Sequence, residues 1–183
     1  ELLPYQDPTN SVEERVADLL PRMTTAEKIA QTVQVNNTAI MKDGILKEGY
    51  ENWLTENMYG SMLNGGSDPA NPNPANWEQT SYLWRNQINV LQEQASRTRL
   101  GIPIIYGVDA VHGFNGFLGA TVYPHNIALG ATGNLELVEE IGRATAAECG
   151  AMGYYWTFAP CSANPQNPRW GRTYEGFGSD IDL

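Results

Sequence analysis

A chain of 183 residues, 42% hydrophobic and 17% charged, has the composition of a folded domain and not of a disordered tail, yet falls short of the roughly 250 residues of a complete (β/α)8 barrel. Its 21 acidic against 11 basic side chains give a formal charge of -10, which repels phosphate backbones and excludes nucleic acid as an expected partner while leaving a neutral sugar open. No apolar run reaches the roughly 18 residues of a spanning helix, so no membrane partner is expected.

The N-terminal residues 1–10 show no basic region followed by an apolar stretch, so no signal peptide is visible. Cys149 and Cys161 are too few for a disulfide framework or a four-ligand zinc site, and are expected as buried free thiols. The sequon Asn36-Asn37-Thr38 carries little weight outside a secretory context.

Helix and strand signals alternate along the chain. Ser11 opens a capping box with Glu14, followed by Val16, Leu19 and Leu20 at helical spacing. Thr24 and Glu27 form a second box, opening a short helix through Ile29 and Ala30. Residues 33–35 read as a strand. Residues 46–58 read as a helix with Tyr50, Trp53, Leu54 and Asn57 on one face, stopped by Gly60. Residues 61–63 read as a second strand running into Gly65 and Gly66. The prolines and asparagines of residues 68–74 mark a loop.

A long helix is predicted over 75–98, with Trp77, Ser81, Trp84, Ile88, Leu91 and Ala95 on one face. Residues 102–108 form a continuous apolar run, as in a strand buried on both faces of a parallel sheet. Asn134 caps a helix over 135–152, with Leu137, Val138, Ile141, Thr145 and Cys149 inward. Residues 155–159 make the fourth strand, and residues 160–183 a long ordered loop. Strands separated by helices at this spacing predict parallel βαβ units. The fold class is therefore α/β with about four strands in one partial domain over residues 1–183. No internal repeat and no sign of a second domain accompany it.

Ligands of such architectures meet the loops after the C-terminal ends of strands. Two segments lie there, residues 107–113 and residues 167–178. Asp109 follows directly on the apolar strand. A carboxylate there must find donors, and a sugar offers hydroxyls that an ionised carboxylate can accept two at a time. Capping the next helix or pairing with a nearby arginine is the other fate that position leaves open. Asp109 and His112 could form half a metal site, but no third ligand lies nearby in sequence. His112 and His125 both read more simply as loop histidines held by hydrogen bonds. In the second segment Arg169 and Arg172 stand among Trp170, Tyr174 and Phe177. Arginine forks can grip vicinal hydroxyls, and aromatic faces suit pyranose rings. Pairing with Glu175 or Asp180 to lock the loop is the structural alternative. Phosphate-loop, dinucleotide, nucleophile-elbow and zinc-protease motifs are all missing from the sequence.

Four ordered blocks carry a family resemblance. They are residues 12–29, residues 100–113 ending in Gly107-Val108-Asp109-Ala110-Val111-His112-Gly113, residues 119–132 with Tyr123-Pro124-His125-Asn126, and Phe158-Ala159-Pro160-Cys161 followed by residues 168–177. Over nearly its whole length the chain resembles the N-terminal domain of glycoside hydrolase family 3, and within it the β-glucosidases and β-glucan exohydrolases.

The resemblance implies the N-terminal part of a (β/α)8 barrel that removes terminal β-glucosyl residues from a β-glucan or β-gluco-oligosaccharide by a retaining, two-carboxylate mechanism. It implies Asp109 and Arg172 as the residues that hold the terminal glucose, with Arg169 and Trp170 shaping the loop. No cofactor and no metal are expected. The family's nucleophilic aspartate, acid glutamate and Lys-His-Phe block match nothing in residues 1–183, so no residue of this chain is assigned to catalysis and the rest of the same polypeptide is expected to supply them. A half barrel leaves a strand edge and apolar faces uncovered. Where the family has Arg-Asp before Pro-Arg-Trp-Gly-Arg, this chain has Gln166-Asn167, which exchanges an ion pair for neutral amides. A β-N-acetylhexosaminidase of the same family and a sugar-binding module without catalysis are the competing readings. Polymer-degrading members are commonly exported, so the expected location is periplasmic or extracellular.

Overall fold

The computed structural model describes residues 2–42, 44–63 and 77–181. Both capping boxes form. Ser11 and Glu14 open α1 (Val12–Arg22), and Thr24 and Glu27 open α2 (Thr25–Gln31). Each exchanges a side-chain bond for a backbone bond in both directions, satisfying two otherwise orphaned N–H groups. The first strand, β1 (Gln34–Asn36), begins one residue later than the apolar run suggests.

Residues 46–58 depart from the single helix expected of them. A hairpin of β2 (Met41–Lys42) and β3 (Ile45–Leu46) comes first, and only α3 (Trp53–Asn57) is helical. Gly44 and Gly49 take left-handed backbone conformations at φ 73° and 87°, which break the helical run on either side of β3. The expected inner face survives on a different backbone. Leu54 N–H donates to Gln94 Oε1 at 2.8 Å and Gln94 Nε2 donates to the Tyr50 carbonyl at 3.1 Å.

The strand β4 (Ser61–Leu63) is followed by α4 (Trp77–Ser96), β5 (Ile105–Val108), α5 (Asn126–Ala131), α6 (Leu135–Ala151) and β6 (Trp156–Thr157). The loop expected over 68–74 and the first two residues of the predicted long helix lie outside the described residues. Helix α5 has no counterpart in the sequence pattern; its six residues are too few to show a period. The sheet order is β1-β4-β5-β6 and every pair is parallel. Each new strand adds to the same edge. A doubly wound sheet would reverse direction at a switch point, whereas this order is the wall of a (β/α)8-type barrel, four strands round.

Val35, Met62 and Tyr106 stand in register on the helix side of the sheet. They pack with Trp84, Ile88 and Leu91 of α4 in one apolar core. Behind the sheet Trp84, Tyr106, Tyr154 and Phe114 meet in edge and tilted contacts with ring centroids 4.9 to 5.4 Å apart. A buried polar relay crosses this core: Asn37 Nδ2 donates to Gln87 Oε1 at 3.2 Å, and Gln87 Nε2 donates to the Tyr154 hydroxyl.

The opposite face is different. Ile105 is 53% exposed and Trp156 41% exposed, so β5 is not buried on both faces as its apolar run suggests. Among the described residues Phe158 lies over part of this inner face, against Gly107 and edge-on to Trp156 at 5.0 Å, and Ile105 and Trp156 stay exposed beside it. Gly107 lies between them under the Phe158 ring, which a Cβ would meet at 2.3 Å and push aside. Helix α6 is seated only at its C-terminal half, where Thr145 and Cys149 are buried; Leu137 is exposed and Val138 and Ile141 are half-buried. Burial, with the Glu148 charge beside it, pushes the Cys149 thiol up to about 11. Both cysteines are free thiols, but Cys161 is only partly buried.

One ion pair staples the base of the arc. Arg99, just before β5, donates from Nε and Nη2 to Glu27 at 2.9 and 2.6 Å, and from Nη2 to the Arg22 carbonyl at 2.7 Å. Arg99 and the Thr24 backbone hold the Glu27 carboxyl down to about 2 from its ordinary 4.5. A carboxyl whose pKa falls on folding contributes stability that is complete above pH 4.5 and is lost as pH falls toward 2. Glu27→Gln is expected to cost about 1–2 kcal/mol at neutral pH, the range of a lost cap. That difference should vanish on acidification when urea midpoints are compared; a gap that persists undiminished at the acid end would contradict the assignment.

Candidate functional site

Parallel strands put all their C-terminal ends on one rim, and the two candidate loops rise from it. Asp109 stands one residue past β5, exposed. Among the described residues its carboxylate makes no hydrogen bond and no ion pair, so neither the helix cap nor the arginine partner that position leaves open is realised. Its backbone is well held. With its amide turned to donate, Asn115 reaches the carbonyls of Asp109 and Gly113 at 3.2 and 3.1 Å. Gly113 has φ 91°, and a Cβ there would lie 2.0 Å from the Thr121 carbonyl oxygen. Only glycine fits that crossing. Thr121 is in turn fixed by Glu148 of α6, which accepts from its hydroxyl at 2.9 Å.

Arg172 sits at the start of the 3-10 turn Thr173–Glu175. It takes the ion pair that the sequence left as its alternative. Nε and Nη2 donate to the two Glu175 oxygens at 2.8 and 2.6 Å, a bidentate fork. Glu175 is buried, while the arginine side chain is 64% exposed. The pair lowers the Glu175 carboxyl below its usual range, chiefly through the Arg172 hydrogen bonds, and raises Arg172 in turn. The fork orients the guanidinium and still leaves its Nη1 edge open among the described residues. Arg169 stands apart from this pair, its backbone N–H donating to Asn167 Oδ1 at 3.0 Å. Gln166 closes the loop base with a neutral bond, Nε2 to the Ser179 carbonyl at 3.0 Å.

No hydrogen bond or ion pair joins Asp109 to Arg172 directly. Their loops meet through a column of rings. His112 Nδ1 donates to the Tyr123 carbonyl at 2.7 Å, the loop role expected of it. Its ring lies 4.1 Å from that of His125, whose ring meets Tyr174 edge-on at 4.8 Å. His125 thus differs from the hydrogen-bonded loop histidine expected, since its ring is engaged by ring contacts. Asn126 Nδ2 donates to the Glu175 carbonyl at 2.8 Å and is buried. The sequence held only one signal for this link, the Tyr123-Pro124-His125-Asn126 stretch within a resemblance block, and gave no reason to place it between the two loops.

A cavity of about 380 Å³ lies nearby, between α5, α6 and the strand ends. Its walls are mainly apolar, with Leu129, Val138, Ile141 and Tyr154 among them, and neither Asp109 nor Arg172 lines it. It suits the packing of a helix layer, not a polar sugar. No cluster of three metal-ligating side chains occurs among the described residues, and no described helix is long and apolar enough to cross a membrane.

The model of the glycosyl hydrolase family 3 N terminal domain matches residues 24–183. A lysosomal beta glucosidase of Dictyostelium discoideum is 33% identical over 90% of this chain and 20% of its own length. A periplasmic beta-glucosidase of Salmonella typhimurium is 31% identical over 92% of this chain and 19% of its own. The crystal structure of an exo-1,3/1,4-beta-glucanase from a Pseudoalteromonas species superposes with a TM-score of 0.75 at 35% identity, covering 96% of this chain and 20% of that one. The chain thus spans about a fifth of the length of these relatives. On the family match, the strand order and the two rim loops together, the chain belongs to glycosyl hydrolase family 3 and carries its N-terminal domain sequence.

Proposed function

We propose that residues 1–183 are one partial domain, the sugar-holding N-terminal part of a retaining, exo-acting β-glucosidase or β-glucan exohydrolase that cleaves terminal β-D-glucosyl residues. The observation that carries this reading is the Asp109 carboxylate, exposed on the rim and unpartnered among the described residues. A carboxylate held on a rigid strand end without donors of its own can accept two vicinal hydroxyls. Arg172, aimed by Glu175, supplies donors to the same ring. The names of the relatives, glucosidases and a glucanase, support glucose as the sugar. That one relative is named periplasmic supports a periplasmic or extracellular location.

Chemistry belongs to sequence outside this chain in this reading. A retaining glycosidase needs a nucleophile and an acid whose carboxyl groups lie about 5–5.5 Å apart. Glu175 is a poor proton donor, because Arg172 keeps it ionised, and Asp109 is committed to hydroxyls. The nucleophile, the acid and the remaining barrel strands are therefore supplied by the rest of the same polypeptide.

The polypeptide of residues 1–183 is expected to give no turnover of 4-nitrophenyl β-glucoside, while the polypeptide extended by its downstream sequence hydrolyses it in preference to the N-acetylglucosaminide. Turnover by the 183 residues alone would overturn the placement of the catalytic carboxylates. Preference for the N-acetylglucosaminide would transfer the site to the hexosaminidases. Saturable glucose binding without turnover by the extended protein would make it a binding module. In the extended enzyme Asp109→Asn should lower kcat/KM by about 10² to 10⁴-fold, the loss of two charge-assisted hydrogen bonds. Its thermal midpoint should barely move, since no internal bond is broken. A large drop in stability would instead mark Asp109 as structural.

A further inference from the structure

The four residues Tyr123 to Asn126 touch both rim loops at once, and by different means. Toward the Asp109 loop, Tyr123 N–H donates to the His112 carbonyl at 2.9 Å while His112 Nδ1 donates back to the Tyr123 carbonyl at 2.7 Å. Toward the Arg172 loop, Asn126 pins the Glu175 carbonyl at 2.8 Å. His125 spans the gap between them, its ring 4.1 Å from His112 and 4.8 Å from Tyr174. Histidine is a poor choice for the position it holds, the N-cap of α5. Ser, Thr, Asp and Asn are preferred there because their side chains accept a cap bond, and the His125 side chain makes none. Its ring is spent on the two loops instead.

We propose that His125 is a positioning residue that couples the Asp109 loop to the Arg172 loop and sets the distance between carboxylate and guanidinium. It touches neither group. It acts through His112, three residues from Asp109, and through Tyr174, which lies between Arg172 and its partner Glu175. A flat ring in contact on two sides transmits a displacement of one loop to the other, because ring contacts resist sliding and compression more than an open gap does. The two histidine rings meet in a tilted ring contact and share no hydrogen bond among the described residues, so the contact is one of shape. The coupling is a property of the fold; its effect on catalysis rests on the sugar-site reading above.

Two variants test it, His125→Ala, which removes the ring, and His125→Phe, which keeps a flat ring and removes both nitrogens. In ¹H–¹⁵N spectra of the extended polypeptide, His125→Ala should displace amide resonances in both loops, residues 109–113 and 170–176, and His125→Phe should return them toward the wild-type positions. Shifts confined to one loop, or equal shifts in both variants, would overturn the coupling. In the extended polypeptide His125→Ala should lower kcat/KM for 4-nitrophenyl β-glucoside on the order of three- to thirtyfold, with His125→Phe restoring most of it. Unchanged kcat/KM in His125→Ala would overturn the positioning role. Absence of turnover in the extended wild-type polypeptide would count against the enzyme reading alone, and the amide shifts would then decide the coupling by themselves.

Discussion

The parallel pairing of β1, β4, β5 and β6 is the constraint from which the rest follows. Parallel strands joined by helices must all run the same way, so every loop that leaves a strand emerges on one rim. That brings the loop of Asp109 after β5 and the loop of Arg172 after β6 to the same rim, although 62 residues of sequence lie between them. The helices that return the chain can pack on only one side. That side receives Met62, Tyr106 and the Trp84 cluster, while Ile105 and Trp156 face the other way and stay exposed, with Phe158 against the Trp156 ring. A barrel interior is a packed core filled by side chains from all its strands, so an exposed inner face is what an arc of four strands presents.

On that rim the two sugar-site candidates are held by opposite strategies. Asp109 is kept free, and its backbone is fixed by neighbours: Asn115 on its carbonyl, Gly113 crossing under Thr121, and Glu148 anchoring Thr121 from α6. Arg172 is kept occupied. Its fork on Glu175 removes the rotational freedom of a long side chain before any ligand arrives, which lowers the entropic cost of a later contact. One group is free in charge and fixed in place, and the other is neutralised in part and aimed. Tyr123, His125 and Asn126 bind the two arrangements into one unit. The family match gives the chain its membership, and the local geometry shows how these two side chains are held.

Much of this is legible in the residues. Capping boxes at Ser11 and Thr24 are local devices, fixed by a spacing of three, and both form. The inner face of α4 is legible because twenty residues give the helical period room to repeat. Residues 46–58 mislead because the periodicity at Tyr50, Trp53 and Leu54 is genuine burial against Gln94, on a chain that two left-handed glycines have already broken. The apolar run at 102–108 suggests burial on both faces, yet hydropathy cannot report whether the covering strands belong to the same stretch of chain. The strand order, which places Asp109 and Arg172 on the same rim, follows from alternation. The ring column through His125 does not, because it depends on where two loops and a six-residue helix come to rest against one another.

The most direct measurement is a crystal structure of the extended polypeptide with glucose bound. The two Asp109 carboxylate oxygens should lie roughly 2.5–2.7 Å from adjacent hydroxyls of one pyranose, with the Arg172 guanidinium on the same ring and Glu175 still behind it. Glucose seated elsewhere in the protein, or in the rim with Asp109 turned away from it, would contradict the sugar site built on these two loops.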